Sequence, residues 1–248
     1  MPDFDLPAGD IVPVDTVDLR LAADTHPFEA RNGEAIDRYW SAEHARNPAL
    51  FDGPMLQFSR LVLADGRLDG TFHLGRFASF LYWRGLTQKE DLRHAFANPI
   101  LVTTDNALVA VEMGAHTANA GLVYFPSGSF DPNDLAEGRI DVAGNMRREV
   151  REETGIDLDG LPREPGYHLL DLPRGAAIVT RVLIPFTAGE VEEGIRRFVA
   201  SEADPEIARP VILRDGRTDG IRVAAHVPHL VAWHFAAPPV AAELIAFR

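Results

Sequence analysis

Strand-like and helix-like stretches are interspersed along this chain without an internal repeat, which predicts an α+β fold. Three observations carry that expectation. Two apolar runs flank Asp65-Gly66 and read as a hairpin. Amphipathic stretches such as Phe28–Ala45 and Ala143–Thr154 place apolar residues at helical spacing. The 248 residues are 46% hydrophobic and 25% charged, enough apolar material for a substantial core.

The same composition excludes several functions. A formal charge of −13 disfavours nucleic acid and anionic membrane surfaces as partners. Cysteine is absent, so disulfides, thiolate nucleophiles and thiolate metal sites are excluded. No cationic segment followed by an apolar run opens the chain, and no stretch reaches the length of a membrane span. A cytoplasmic protein acting on a small molecule is the expectation.

Residues 1–97 read as an N-terminal α+β module. Ile11 to Leu21 alternates loosely and holds one strand. Phe28 to Ala45 is a helix ended by Asn47-Pro48. Met55–Ala64 and Leu68–Phe77 are the hairpin strands. Phe77–Trp83 is a dense aromatic run of ambiguous period. Thr87 to Ala97 reads as a short helix, with Thr87 and Glu90 as a capping box, and Asn98-Pro99 as a boundary.

Residues 98–248 read as a second domain. Ile100–Thr104 and Leu108–Met113 form a hairpin about Asp105-Asn106. Gly121–Phe125 is the next strand, and 129–140 a polar loop. Asp141 caps a helix running to Thr154, whose packing face is Ala143, Met146, Val150 and Thr154. Tyr167–Leu170 and Ala176–Phe186 are strands. Gly189–Ala200 is a helix, Val211–Leu213 a strand, and Val227–Phe235 and Val240–Phe247 closing helices.

The chemistry concentrates at Arg148-Glu149-Val150-Arg151-Glu152-Glu153-Thr154-Gly155-Ile156. Glu149 lies three and four residues from Glu152 and Glu153, so the carboxylates crowd one patch of helix. Like charges at that spacing cost a few tenths of a kcal/mol, roughly, and a bound divalent cation reverses the sign. Gly155 suits a helix end because glycine tolerates positive φ.

This nonapeptide resembles the core of the Nudix box, R-E-U-x-E-E-x-G-U with U aliphatic. Arg148, Glu149, Val150, Glu152, Glu153, Gly155 and Ile156 meet every fixed position. The resemblance implies an α-β-α sandwich with a mixed sheet, carrying the N-terminal module as an extension. It implies metal-dependent hydrolysis of a nucleoside diphosphate linked to another moiety, by water attacking phosphorus. Mg²⁺ or Mn²⁺ would be the cofactor. Glu152 and Glu153 would be the main ligands, and Glu149 a ligand or the group orienting water. Arg148 would hold one of these carboxylates in place. A further carboxylate from a remote loop is common in the family, and Glu206 is the leading candidate, with Glu202 behind it. Such proteins often dimerise, so a homodimer is one expected form. A binding protein of the same fold without turnover is the alternative.

The upstream half of the box departs from the pattern. Ile140 stands where the family has glutamate, and Asp134 where it has glycine. A longer loop after Gly128 accounts for this, leaving Glu137, Asp134 and Asp141 as substitutes. His116 is a candidate substrate contact, and Arg174 and Arg181 are candidate phosphate contacts. Trp40, Tyr82 and Trp83 are aromatics able to stack a base or sugar. The segment from Trp40 to Gly53 faintly resembles Nudix proteins that cleave UDP-sugars, which ranks nucleotide sugars first among substrates.

Overall fold

The computed structural model describes residues 3–87, 91–173, 175–239 and 244–247. The chain opens with three strands, β1 (Asp3–Asp5), β2 (Ile11–Val14) and β3 (Thr16–Leu21), then helix α1 (Pro27–Arg46). The hairpin strands β4 (Pro54–Ala64) and β5 (Arg67–Arg76) lead to α2 (Phe77–Gly85). Next come β6 (Ala95–Val102), β7 (Leu108–Met113) and β8 (Val123–Tyr124), then β9 (Leu135–Ala136) and β10 (Arg139–Ile140). Helix α3 (Val142–Thr154) carries the acidic nonapeptide. Strands β11 (Pro162–Arg163), β12 (Tyr167–Leu172) and β13 (Gly175–Leu183) precede α4 (Ala188–Ser201). Strand β14 (Ile207–Leu213), helix α5 (Val227–Ala236) and strand β15 (Ile245–Ala246) close the chain.

The architecture is the mixed α and β one that the sequence leads us to expect. Two compact units form, neither continuous in sequence. One comprises Met1–Phe96, Ser129–Val142 and Leu169–Ala177, and the other the remainder. Among the described residues, no helix is long and apolar enough to cross a membrane.

The first unit holds a six-stranded sheet in the order β1-β4-β5-β3-β10-β9. It is mixed: β1 runs parallel to β4 and β3 parallel to β5, while β4 and β5 are antiparallel. The β4–β5 turn has Asp65 and Gly66 both at positive φ, the conformation that makes Asp-Gly a hairpin signal. Phe28 and Ile36 of α1 pack with Ala78, Phe80 and Trp83 of α2 in one apolar cluster. Trp83 is fully buried there and Tyr82 packs against its edge, so neither is a free stacking platform. Trp40 stacks on His44.

A buried carboxylate, Asp18 on β3, anchors the polar face of this sheet. Arg20, Arg67 and Arg139 converge on it from three strands. Hydrogen bonding from Arg20, ahead of the opposing desolvation, holds its carboxyl below the usual carboxylate range.

In the second unit the strand order is β14-β7-β6-β13-β11-β15, with β8 on β7. Val191 and Ile195 bury the inner side of α4. Its outer side carries Glu192–Arg196 and Glu193–Arg197 pairs four residues apart.

Five expectations need correcting. Ile11–Leu21 holds two strands, broken at Asp15, whose N–H donates to Gly66 O at 2.7 Å. The helix expected over Thr87–Ala97 is not found among its described residues. Arg93 exchanges backbone bonds with Phe58, and Ala95 already belongs to β6. Glu90, and with it the proposed capping box, lies outside the described residues. Asn98-Pro99 falls inside β6, where an almost unbroken buried run outweighs the turn signal. Residues 129–140 are not a plain loop: Pro132–Asp134 is a 3₁₀ turn, and β9 and β10 form a hairpin about Glu137 and Gly138, both at positive φ. That hairpin joins the first unit's sheet through Arg139 and Arg20. Finally, the last expected helix gives way to β15, where Ile245 and Ala246 pair with β11. Residues 240–243 of that stretch lie outside the described residues.

Candidate functional site

Helix α3 sets the site. Its buried line runs through Val142, Asn145, Met146, Glu149, Val150, Glu153 and Thr154, so Ala143 is only half-buried. Two carboxylates therefore face inward. Glu149 and Glu153 are 8% and 3% exposed, whereas Glu152 points to solvent. An ordinary amphipathic helix would turn all three outward.

Each carboxylate has a distinct setting. The Glu149 carboxylate lies against Gly128, where any side chain at all would overlap it. Arg148 bridges the other two positions, with Nη1 2.8 Å from Glu149 Oε1 and 3.1 Å from Glu152 Oε2. Glu153 Oε2 accepts the Ser127 N–H at 3.1 Å. That one backbone bond is outweighed: burial first, then the charges of Glu149 and Glu206, push the Glu153 carboxyl well above its ordinary range. Glu152 adds to the repulsion.

Glu206, at the mouth of β14, is exposed and shares a pocket of about 350 Å³ with Glu152 and Glu153. Glu202, Asp204 and Arg151 line the same pocket, together with Phe198. Gly114 N–H fixes the loop by donating to Glu206 O at 2.8 Å. His116 stands over that contact, with Nε2 3.7 Å from Asp204 Oδ1.

The helix ends where the chain must clear a ring. Gly155 has φ +72°, and a Cβ there would come 2.6 Å from Phe198. Thr154 closes the last turn by donating to Val150 O and accepting the Ile156 N–H.

Of the residues expected at the site, the structure thus brings together Arg148, Glu149, Glu152, Glu153 and Glu206. The substitutes for the upstream glutamate all belong to the other unit. Asp134 is buried, with its carboxylate accepting the Asp131 N–H, and Glu137 is exposed at the tip of a hairpin. Arg181 is not available to a phosphate. It is 4% exposed, donates to Glu164 at 2.7 Å and lies 4.0 Å over the Trp233 ring. Arg174 lies outside the described residues.

Sequence reasoning missed Tyr124. This buried phenol hydrogen-bonds the Asn119 side chain, and burial with the charge of Glu153 pushes its ionisation up. The signal was its place two residues before Pro126, on the strand that leads to the Gly128 contact. Ser127 was missed because its contribution is a backbone N–H.

Among the described residues, no group of three or more His, Cys, Asp or Glu side chains is already arranged to hold a metal ion. The donors present are nonetheless all oxygen, and the buried Glu153 has acids rather than a cation for charged company. That chemistry suits a hard divalent ion.

Family models and curated proteins both return no match to this chain. Solved structures do. The MutT protein from Methanosarcina mazei Go1 is 15% identical, with a TM-score of 0.38 over 57% of this chain and 91% of that one. The NUDIX domain of Shewanella oneidensis NrtR, complexed with ADP ribose, is 13% identical, with a TM-score of 0.35 over 56% of this chain and 84% of that one. The E. coli ORF135 protein is 17% identical, with a TM-score of 0.36 over 60% of this chain and 96% of that one.

Proposed function

We propose that this chain is a Nudix-type pyrophosphohydrolase, dependent on Mg²⁺ or Mn²⁺, that cleaves a nucleoside diphosphate linked to another moiety. Nucleotide sugars come first and dinucleotide-like compounds second. Residues 98–248 would carry the catalysis. The observation that carries the reading is Glu153: a buried carboxyl in a nine-residue acidic motif, pressed by Glu149, Glu206 and Glu152.

Glu152, Glu153 and Glu149 would hold the metal, and Glu206 would join them from its loop. When bound, a divalent ion neutralises diphosphate charge and lowers the pKa of bound water. The chain's own residues do the rest. Arg148 keeps Glu149 and Glu152 at fixed places, and Ser127 holds one Glu153 oxygen so that the other is free to turn to a ligand. Gly128 lets the strand pass close to the Glu149 carboxylate.

The test is a panel of nucleotide sugars and dinucleotides with Mg²⁺ and Mn²⁺ titrated in. We expect metal-dependent product, and Glu152→Gln to cut it about a hundredfold or more with the fold retained. Equal turnover in that variant would sink the site. The hairpin between Gly128 and α3 favours a second reading, binding without turnover, because Ile140, paired with Leu135 there, stands at the family's glutamate position. Ligand-induced stabilisation with no product across the whole panel would select it.

A further inference from the structure

A second constellation lies in the first unit, assembled from β4, β5 and the turn that follows β3. Ser59 Oγ is 2.8 Å from His73 Nε2. His73 Nδ1 is 3.0 Å from the Asp24 carbonyl oxygen and 3.4 Å from Asp24 Oδ1. Both Asp24 atoms are acceptors, so Nδ1 carries the proton and Nε2 presents its lone pair to the serine hydroxyl. A base held in the right tautomer by an acidic residue, and bonded to a hydroxyl, is the arrangement that activates a serine.

The fold builds each part. Phe58 pairs with Phe72 and Arg60 with Thr71, leaving Ser59 as the extra residue of a β-bulge. Bulges re-aim a side chain, and they recur beside active sites. Ser59 is half-buried, while His73 is only 3% exposed and shielded from bulk water. Ala22 N–H donates to Phe72 O at 2.8 Å, which fixes the turn carrying Asp24. The ring of His26 meets that of His73 edge-on at 4.9 Å and limits its rotation.

We propose that Ser59 is a nucleophile with His73 as its general base and Asp24 as a positioning residue, acting on small carboxylic esters. Ser59 Oγ bonds to the ester carbonyl carbon as its proton passes to His73 Nε2. The ester C–O bond breaks, and Nε2 returns the proton to the departing alkoxide. Water, deprotonated by the same nitrogen, then frees the acid and restores the serine.

The full chain is treated with a tagged fluorophosphonate, and the adduct is located by intact mass and peptide mapping. We expect one adduct on Ser59, none in Ser59→Ala, and labelling about a hundredfold slower in His73→Gln. No adduct on Ser59, or an unchanged rate in His73→Gln, overturns the proposal. His73 is buried, so its replacement can unfold the unit, and Ser59→Cys provides an independent reading. The chain has no other cysteine, so iodoacetamide reports this thiol alone. Beside His73 it should stay reactive at pH 6. A rate that falls tenfold per pH unit below about 8.5, as for a free thiol, overturns the assignment.

Discussion

Asp18 and Glu153 are both buried carboxylates, one in each unit, and their surroundings drive them in opposite directions. Asp18 has three guanidiniums on it and is held in its charged form. Glu153 has one backbone N–H and three acidic neighbours, and burial with those neighbours pushes its carboxyl well above the ordinary range. Both side chains are screened from water, but Glu153 lies inside the fold while Asp18 lies under three arginines that are themselves about half-exposed. What also differs is whether the fold provides the compensating charge, which it does for Asp18 and does not for Glu153. Helix α4 is the third case: Glu192 and Glu193 are solvated and each has an arginine four residues on, so nothing is left to supply.

The sharpest way to break this contrast is to neutralise both acids in metal-free protein. Asp18→Asn should lower unfolding stability by about 2 kcal/mol, since three half-exposed arginines lose the charge they share. Glu153→Gln should raise it by about 1 kcal/mol, by removing the acid that burial and its neighbours disfavour. Urea denaturation reads both, and equal signs would end the distinction.

Next in size is the mirror case of a buried base. His234 is fully buried, and burial followed by the charge of Arg181 lowers it from 6.5 to about 4. The unfolded chain binds that proton first. Stability is therefore intact above pH 6.5 and falls as the pH drops towards 4, by about 2 kcal/mol at pH 5. His234→Phe should remove that share of the acid slope in melts run from pH 7 to 5.

Gly128→Ala sharpens the contrast at the site itself. The added methyl would overlap the Glu149 carboxylate and swing it from its seat. We expect about a tenfold loss of metal-dependent turnover, with a rise in the metal concentration required. The smallest effect belongs to α4. Glu193→Ala should change stability by less than about 0.5 kcal/mol and leave turnover alone.

Long, periodic elements were legible in the sequence. Helices α1 and α4 and the β4–β5 hairpin follow from spacing and from Asp65-Gly66, within two residues or so at their ends. Strands β9, β10 and β15 were not. Two residues have no period, and what makes them strands is a partner far along the chain, Arg20 for Arg139 and Arg163 for Ile245. The glutamates of α3 were legible because their spacing is local. Which of them turn inward was not: Val142 rather than Ala143 begins the buried line, and that rotates Glu149 and Glu153 out of water. Ser59 and His73 are brought together by strand register and Asp24 by the turn after β3, so no spacing announces them.

His26 begins α1 in an unusual way. The starting residue of a helix is commonly Ser, Thr, Asp or Asn, whose oxygen accepts an amide proton at any physiological pH. Here the acceptor is His26 Nδ1, which takes the Phe28 N–H at 3.0 Å. A ring nitrogen accepts only while it is unprotonated, and burial keeps that state down to about pH 4. Strong acid would therefore take away the first amide's partner and place a charge among the positive dipole ends of the same turn. The opening turn of this helix should fray before its middle does, visible as early amide exchange at Phe28.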